Sequence, residues 1–125
     1  MATHFSRLEA AALAEVEATL AELPGPLRER AQPLPVTLEP RPNAEHEKDG
    51  IDPDTLGLFV GPEFAYQELS PEPLPPQIIL FLENIWDQAE GDPELFRQEV
   101  RTTYLHELGH YLGLNEEDLF DRGLE

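Results

Sequence analysis

The sequence predicts an α+β fold, with helix first, short strands next and helices last, an order unlike the alternation of βαβ units. Three observations carry that prediction. Phe5, Leu8, Ala12, Val16, Leu20 and Leu23 recur near helical spacing at the start of the chain. Four short segments of strand length follow. Asp92-Pro93-Glu94 then opens a long second helical segment.

The elements follow in order. Pro24-Gly25-Pro26 stops the first helix, and a shorter one is expected over Leu27–Ala31. Pro35-Val36-Thr37-Leu38-Glu39 alternates apolar and polar as a half-buried strand does, and its flanking prolines put it at a sheet edge. Asn43–Gly50 reads as a polar loop carrying His46. Leu56–Val60 is a second strand ended by Gly61-Pro62, and Phe64–Leu69 a third candidate. Gln77–Glu83 is apolar on both faces and is expected to be the central strand. Asn84–Glu90 reads as a short helix running to the Gly91 turn. The last helix runs from Pro93 to about Leu112, where Gly113 supplies a stop, and Glu116–Arg122 can add a short turn. Prolines crowd into Pro24–Pro42 and Pro71–Pro76, between these segments and outside the best helices. With no internal repeat and no long linker, residues 1–125 are expected to form one domain.

Composition excludes whole classes of function. Eight basic residues stand against 26 acidic ones, a net charge of −18 that phosphate repels, so nucleic acid and anionic membrane surfaces are not expected partners. There are no cysteines, hence no disulfide, no thiolate metal site and no cysteine nucleophile. Any metal must be held by His nitrogens and carboxylate oxygens. The longest apolar run, Ile78–Leu82, is far short of the ~20 residues that span a bilayer. Met1–Leu23 is acidic and helix-patterned, unlike a signal peptide, and a cytoplasmic protein is expected.

Chemistry concentrates in His106-Glu107-Leu108-Gly109-His110, an H-E-x-x-H motif within the long helix. At about 100° per residue, His106 and His110 lie one turn apart on one face, so both imidazoles can reach one ion. Glu107 lies to the side of that face. Tyr104, Leu105, Leu108, Tyr111 and Leu112 fall opposite as a core stripe, and Gly109 permits close backbone packing. Neutral imidazole is the commonest nitrogen ligand of Zn²⁺, and a carboxylate beside an activated water suits a general acid/base. Gly113 and Glu116 extend the motif to H-E-x-x-H-x-x-G-x-x-E. A glycine at φ > 0 lets the chain leave the helix sharply and return Glu116 as third ligand.

The extended motif resembles the metzincin pattern H-E-x-x-H-x-x-G-x-x-H, with a carboxylate replacing the third His. The only methionine is Met1, so the Met-turn beneath the metzincin site is absent. The closer resemblance is to the small zincin-like metallopeptidases of bacteria. It is carried by Leu56–Gly61, Pro75–Glu83, Gly91-Asp92 and Glu99–Leu114, and covers most of the chain. That resemblance implies a zincin-like core with the active-site helix against a small mixed sheet.

The expected function is therefore a zinc-dependent peptidase binding one Zn²⁺ per chain through His106, His110 and Glu116, with Glu107 as general acid/base. The alternative is a zincin-fold metal-binding interaction or regulatory module with little hydrolysis, since so short a chain leaves an oxyanion donor unassigned. A metal buffer is a third possibility. Glu116 stands beside Glu117, Asp118 and Asp121 in a chain rich in acids, so its spacing discriminates less than the two histidines do. His46 reads as a solvated loop residue, Tyr104 and Tyr111 as packing residues, and Tyr66 as a possible oxyanion donor. The acidic surface favours solubility and, secondarily, basic peptide substrates.

Overall fold

The computed structural model describes residues 3–61 and 76–114. Helix α1 spans His4–Glu22, and Thr3 caps it by accepting from the Ser6 amide. Helix α2 spans Gly25–Ala31. Strand β1 (Val36–Glu39), the short helix α3 (Ala44–Lys48) and strand β2 (Gly57–Val60) follow. Strand β3 (Gln77–Phe81) leads directly into α4 (Leu82–Gln88), and α5 runs from Pro93 to Tyr111. The fold is α+β, as the order of elements predicted.

The sheet has the order β1-β3-β2. β1 runs parallel to β3, with Val36 opposite Ile78, and β2 runs antiparallel, with Gly57 opposite Leu80 and Phe59 opposite Ile78. The expected central strand is central, and among the described residues β1 and β2 are the edges. Ile78 and Leu80 face the helices and join Leu8, Ala12, Leu82 and Val100 in the core. Charged groups tie the rim of that layer, where Arg101 of α5 reaches Glu22 of α1 at 2.7 Å. Such an exposed pair contributes about 0.2–1 kcal/mol.

Two boundaries differ from expectation, each for a physical reason. The apolar run expected as strand through Glu83 breaks at Phe81. Leu82, Ile85 and Ala89 are all buried at helical spacing, so one run serves both a strand and a helix. The expected loop over Asn43–Gly50 contains α3, closed by a capping box: the His46 amide donates to Asn43 Oδ1, and the Asn43 amide donates to His46 Nδ1. His46, still half-exposed, also sets its ring edge-on to Phe81 at 5.5 Å, so it has a structural contact as well as the expected exposure to solvent. The candidate strand Phe64–Leu69 and the turn Glu116–Arg122 lie outside the described residues.

One buried polar residue sets the approach to β2. Asn84 donates to the carbonyls of Pro53 (2.7 Å) and Thr55 (2.9 Å) and accepts from Arg41 at 2.6 Å. These bonds satisfy the buried Asn84 side chain, and they anchor the segment entering β2 to α4.

Tyr104 and Tyr111 are buried in the core, as expected. Burial pushes the Tyr104 phenol up to about 12. In the unfolded chain it ionises near pH ~10, so below that pH its contribution is fully present. Between pH ~10 and about 12 the unfolded state sheds a proton that the folded state keeps, and stability falls by roughly 3 kcal/mol in all. Urea midpoints measured from pH 9 to 12 are expected to drop steeply, with a visibly flatter profile for Tyr104→Phe. Equal profiles would mean that another group governs alkaline unfolding.

Candidate metal centre

The site is built on the last two turns of α5. Asp92 starts this helix by accepting from the Glu94 and Leu95 amides, and Pro93 occupies its first turn. The helix ends as its glycine predicts. Gly113 has φ +74°, its amide donates to the His110 carbonyl (3.1 Å), and the Leu114 amide donates to the Gly109 carbonyl (2.9 Å). This pair of bonds is a Schellman motif, which caps the final carbonyls and turns the chain away.

The core stripe expected on α5 is in place, with Tyr104, Leu105, Leu108 and Tyr111 buried and Gly109 buried among them. A second stripe sorts the polar residues. Thr103, Glu107 and Tyr111 follow one another at i, i+4 spacing along β2, and Tyr111 meets Phe59 edge-on at 5.5 Å. A Cβ on Gly57 would stand 2.5 Å from the Thr103 methyl and 3.4 Å from Glu107 Cγ. The bare strand backbone at Gly57 is thus what lets α5 approach closely and gives Glu107 its place. Glu107 is only 7% exposed, more enclosed than a position beside the ligand face implied.

His106, Glu107 and His110 come together, with a potential ligand atom of each within 4.8 Å of the others. The two imidazoles meet edge-on at 4.5 Å between centroids. His110 Nδ1 lies 3.3 Å from Glu107 Oε1. A proton on Nδ1 can donate to that carboxylate, leaving the Nε2 lone pair for an ion, the usual way a second partner orients a ligating imidazole. Two ligands on one zinc at ~2.0–2.1 Å each stand at most about 4.2 Å apart, so small side-chain rotations suffice to close the cluster. Nitrogen and oxygen donors without sulfur suit Zn²⁺, and the carbonyl end of α5 adds partial negative charge beneath the cluster. Glu116, the expected third ligand, and Tyr66 lie outside the described residues.

A cavity of about 390 Å³ opens beside this cluster. Leu56 and Gly57 form its strand wall, and Glu99, Thr102, Thr103, His106 and Glu107 its helix wall. Among the described residues β2 has no neighbour on its outer side, so an edge strand flanks the cavity. Sequence reasoning missed the parts played by Gly57, Thr103 and Glu99. A lone glycine inside a strand signals close backbone approach, and Thr103 sits one turn before Glu107, so two of the three had a readable mark.

The family profile of the zincin-like metallopeptidases matches residues 31–124. The chain belongs to that family. The match runs from the end of α2 through the whole of α5, so it takes in the sheet, the cavity and the histidine cluster together. No curated protein sequence matches the chain at a comparable level. Membership agrees with the α+β core, and the His106, Glu107 and His110 cluster has the donor types and spacing that suit a metal ion. Among the described residues no helix is long and apolar enough to cross a membrane.

Proposed function

We propose that the protein is a zinc-dependent peptidase in which His106, His110 and Glu116 hold one zinc ion per chain and Glu107 is the general acid/base. The observation that carries this reading is the buried Glu107 carboxylate, clustered with both imidazoles and lining a cavity together with His106. When bound, zinc supplies Lewis acidity, polarising a carbonyl and drawing the pKa of water towards ~7. Glu107 takes a proton from the attacking water as its oxygen adds to the carbonyl carbon. It then passes that proton to the leaving nitrogen as the C–N bond breaks. Burial beneath β2 holds the carboxylate in one position for both transfers.

An extended peptide can pair its backbone with the outer edge of β2, the mode by which exposed strand edges bind peptides. The net charge of −18 enriches basic peptides around the protein, an effect that salt screens. A metal-binding module without hydrolysis is the second reading. One observation favours it: the two tyrosines among the described residues, Tyr104 and Tyr111, are both buried in the core, so neither reaches a substrate as an oxyanion donor, and the candidate Tyr66 lies outside the described residues.

Elemental analysis and X-ray absorption on the zinc-loaded protein are expected to give about one ion per chain with nitrogen and oxygen ligands only. A broad peptide-library digest separates the two readings, since saturable zinc binding without any cleavage supports the module. Within this proposal Glu116→Ala weakens zinc by orders of magnitude, whereas loss of an outer partner costs roughly 10–100-fold. Glu116→His largely preserves binding. Competition with a chromophoric chelator checks this, and a larger loss from Glu117→Ala or Asp118→Ala reassigns the third ligand.

A further inference from the structure

Resting on the peptidase reading, we infer that Glu99 is a specificity residue that draws a lysine or arginine side chain of the substrate into the cavity beside the histidine cluster. Glu99, Thr103 and His106 follow at spacings of four and three on one face of α5. Glu99 therefore stands two turns before His106, about 10 Å along the axis. The cavity's lining is mixed. Leu56, Gly57 and Thr103 contribute apolar and backbone surface, while Glu99 and Thr102 contribute polar side chains. That combination suits a side chain with a hydrocarbon stem and a cationic head.

The charge balance selects for the same class. Among the described residues, the acidic groups lining the cavity are the carboxylates of Glu99 and Glu107, and no Lys or Arg lines it. The nearby arginines are engaged elsewhere: Arg97 pairs with Glu94, and Arg101 with Glu22. A leucine side chain entering here strips water from Glu99 without replacing its hydrogen bonds, and an acidic side chain meets two like charges. Discrimination thus comes from attraction of the cation and rejection of its competitors. This local effect is separable from the long-range pull of the −18 charge, because the Debye length shrinks from about 8 Å at 0.15 M towards about 3 Å at 1 M salt.

The test uses the zinc-loaded full chain and four amino-acid hydroxamates that share a metal-binding head and differ only in side chain: lysine, arginine, leucine and glutamate. Affinities are measured by calorimetry at 0.15 M and 0.5 M salt. The lysine and arginine compounds are expected to bind about 10-fold or more tighter than the leucine compound, with the glutamate compound weakest, and the order is kept at the higher salt. Glu99→Gln brings the lysine-to-leucine ratio close to one, and Glu99→Lys inverts it in favour of glutamate. Equal wild-type affinities, or a lysine preference that survives Glu99→Gln, overturns the inference. If none of the four compounds binds, the metal-centre reading itself fails, and this inference falls with it.

Discussion

Glu107→Gln is expected to reduce peptide hydrolysis by about 100- to 10,000-fold in kcat while holding zinc affinity within roughly tenfold of wild type. The substitution keeps the shape of a side chain enclosed between α5 and β2, so neither packing nor the position of the helix changes. It also keeps an oxygen able to accept from His110 Nδ1, which lies 3.3 Å from the carboxylate. The amide loses the capacity to take a proton from water, and that loss corresponds to about 3–5 kcal/mol of barrier. His106→Ala and His110→Ala are expected to lose zinc and hydrolysis together, because each removes a nitrogen donor. The paired measurements are kcat on the best library peptide and zinc affinity by chelator competition. Because the Glu107 carboxylate is close enough to both imidazoles to serve as a ligand itself, the comparison is decisive. A Gln variant that loses zinc as completely as His106→Ala would make Glu107 a ligand, and one that keeps most of its hydrolysis would remove it as the base.

The histidine pair, the core stripe of α5 and the Gly113 stop were legible because each follows from local rules. Helical periodicity, a capping proline and a glycine at φ > 0 act within a few residues. The division of Gln77–Gln88 was not legible in the same way. Ile78 to Leu82 is uniformly apolar, and only the tertiary surroundings turn Leu82 and Ile85 from a continuing strand into a buried helix. His46 escaped because its pairing with Asn43 is a capping box in which the usual Glu is replaced by an imidazole. The enclosure of Glu107 depends on which strand covers α5, a long-range fact that periodicity on one helix does not contain. What the sequence did hold was its complement, the glycine at position 57.

Gly57→Val is expected to be the most damaging single change outside the cluster, costing about 3 kcal/mol or more of stability and weakening zinc at the same time. Even one added carbon at Gly57 would stand 2.5 Å from the Thr103 methyl, and the backbone carbonyl of Ile79 is 3.4 Å away. Thr103 is short and buried, so its methyl has less room to swing aside than the end of a long side chain. The strain is relieved only by moving α5 away from β2. That movement carries Glu107 with it, because its Cγ faces the same added carbon at 3.4 Å. A displacement of about 1 Å at a catalytic group is enough to cost roughly a hundredfold in rate. Gly57→Ala is expected to do the same to a smaller extent, and its partner substitution gives the sharper test. Thr103→Ala removes the methyl that clashes, so Gly57→Ala combined with Thr103→Ala should lose less stability than the two single changes added together. The cycle is measured by urea denaturation of the four proteins, with zinc affinity followed in parallel. Simple additivity would show that α5 and β2 are not in contact at this point, and the account of how Glu107 is held in place would then have to be abandoned.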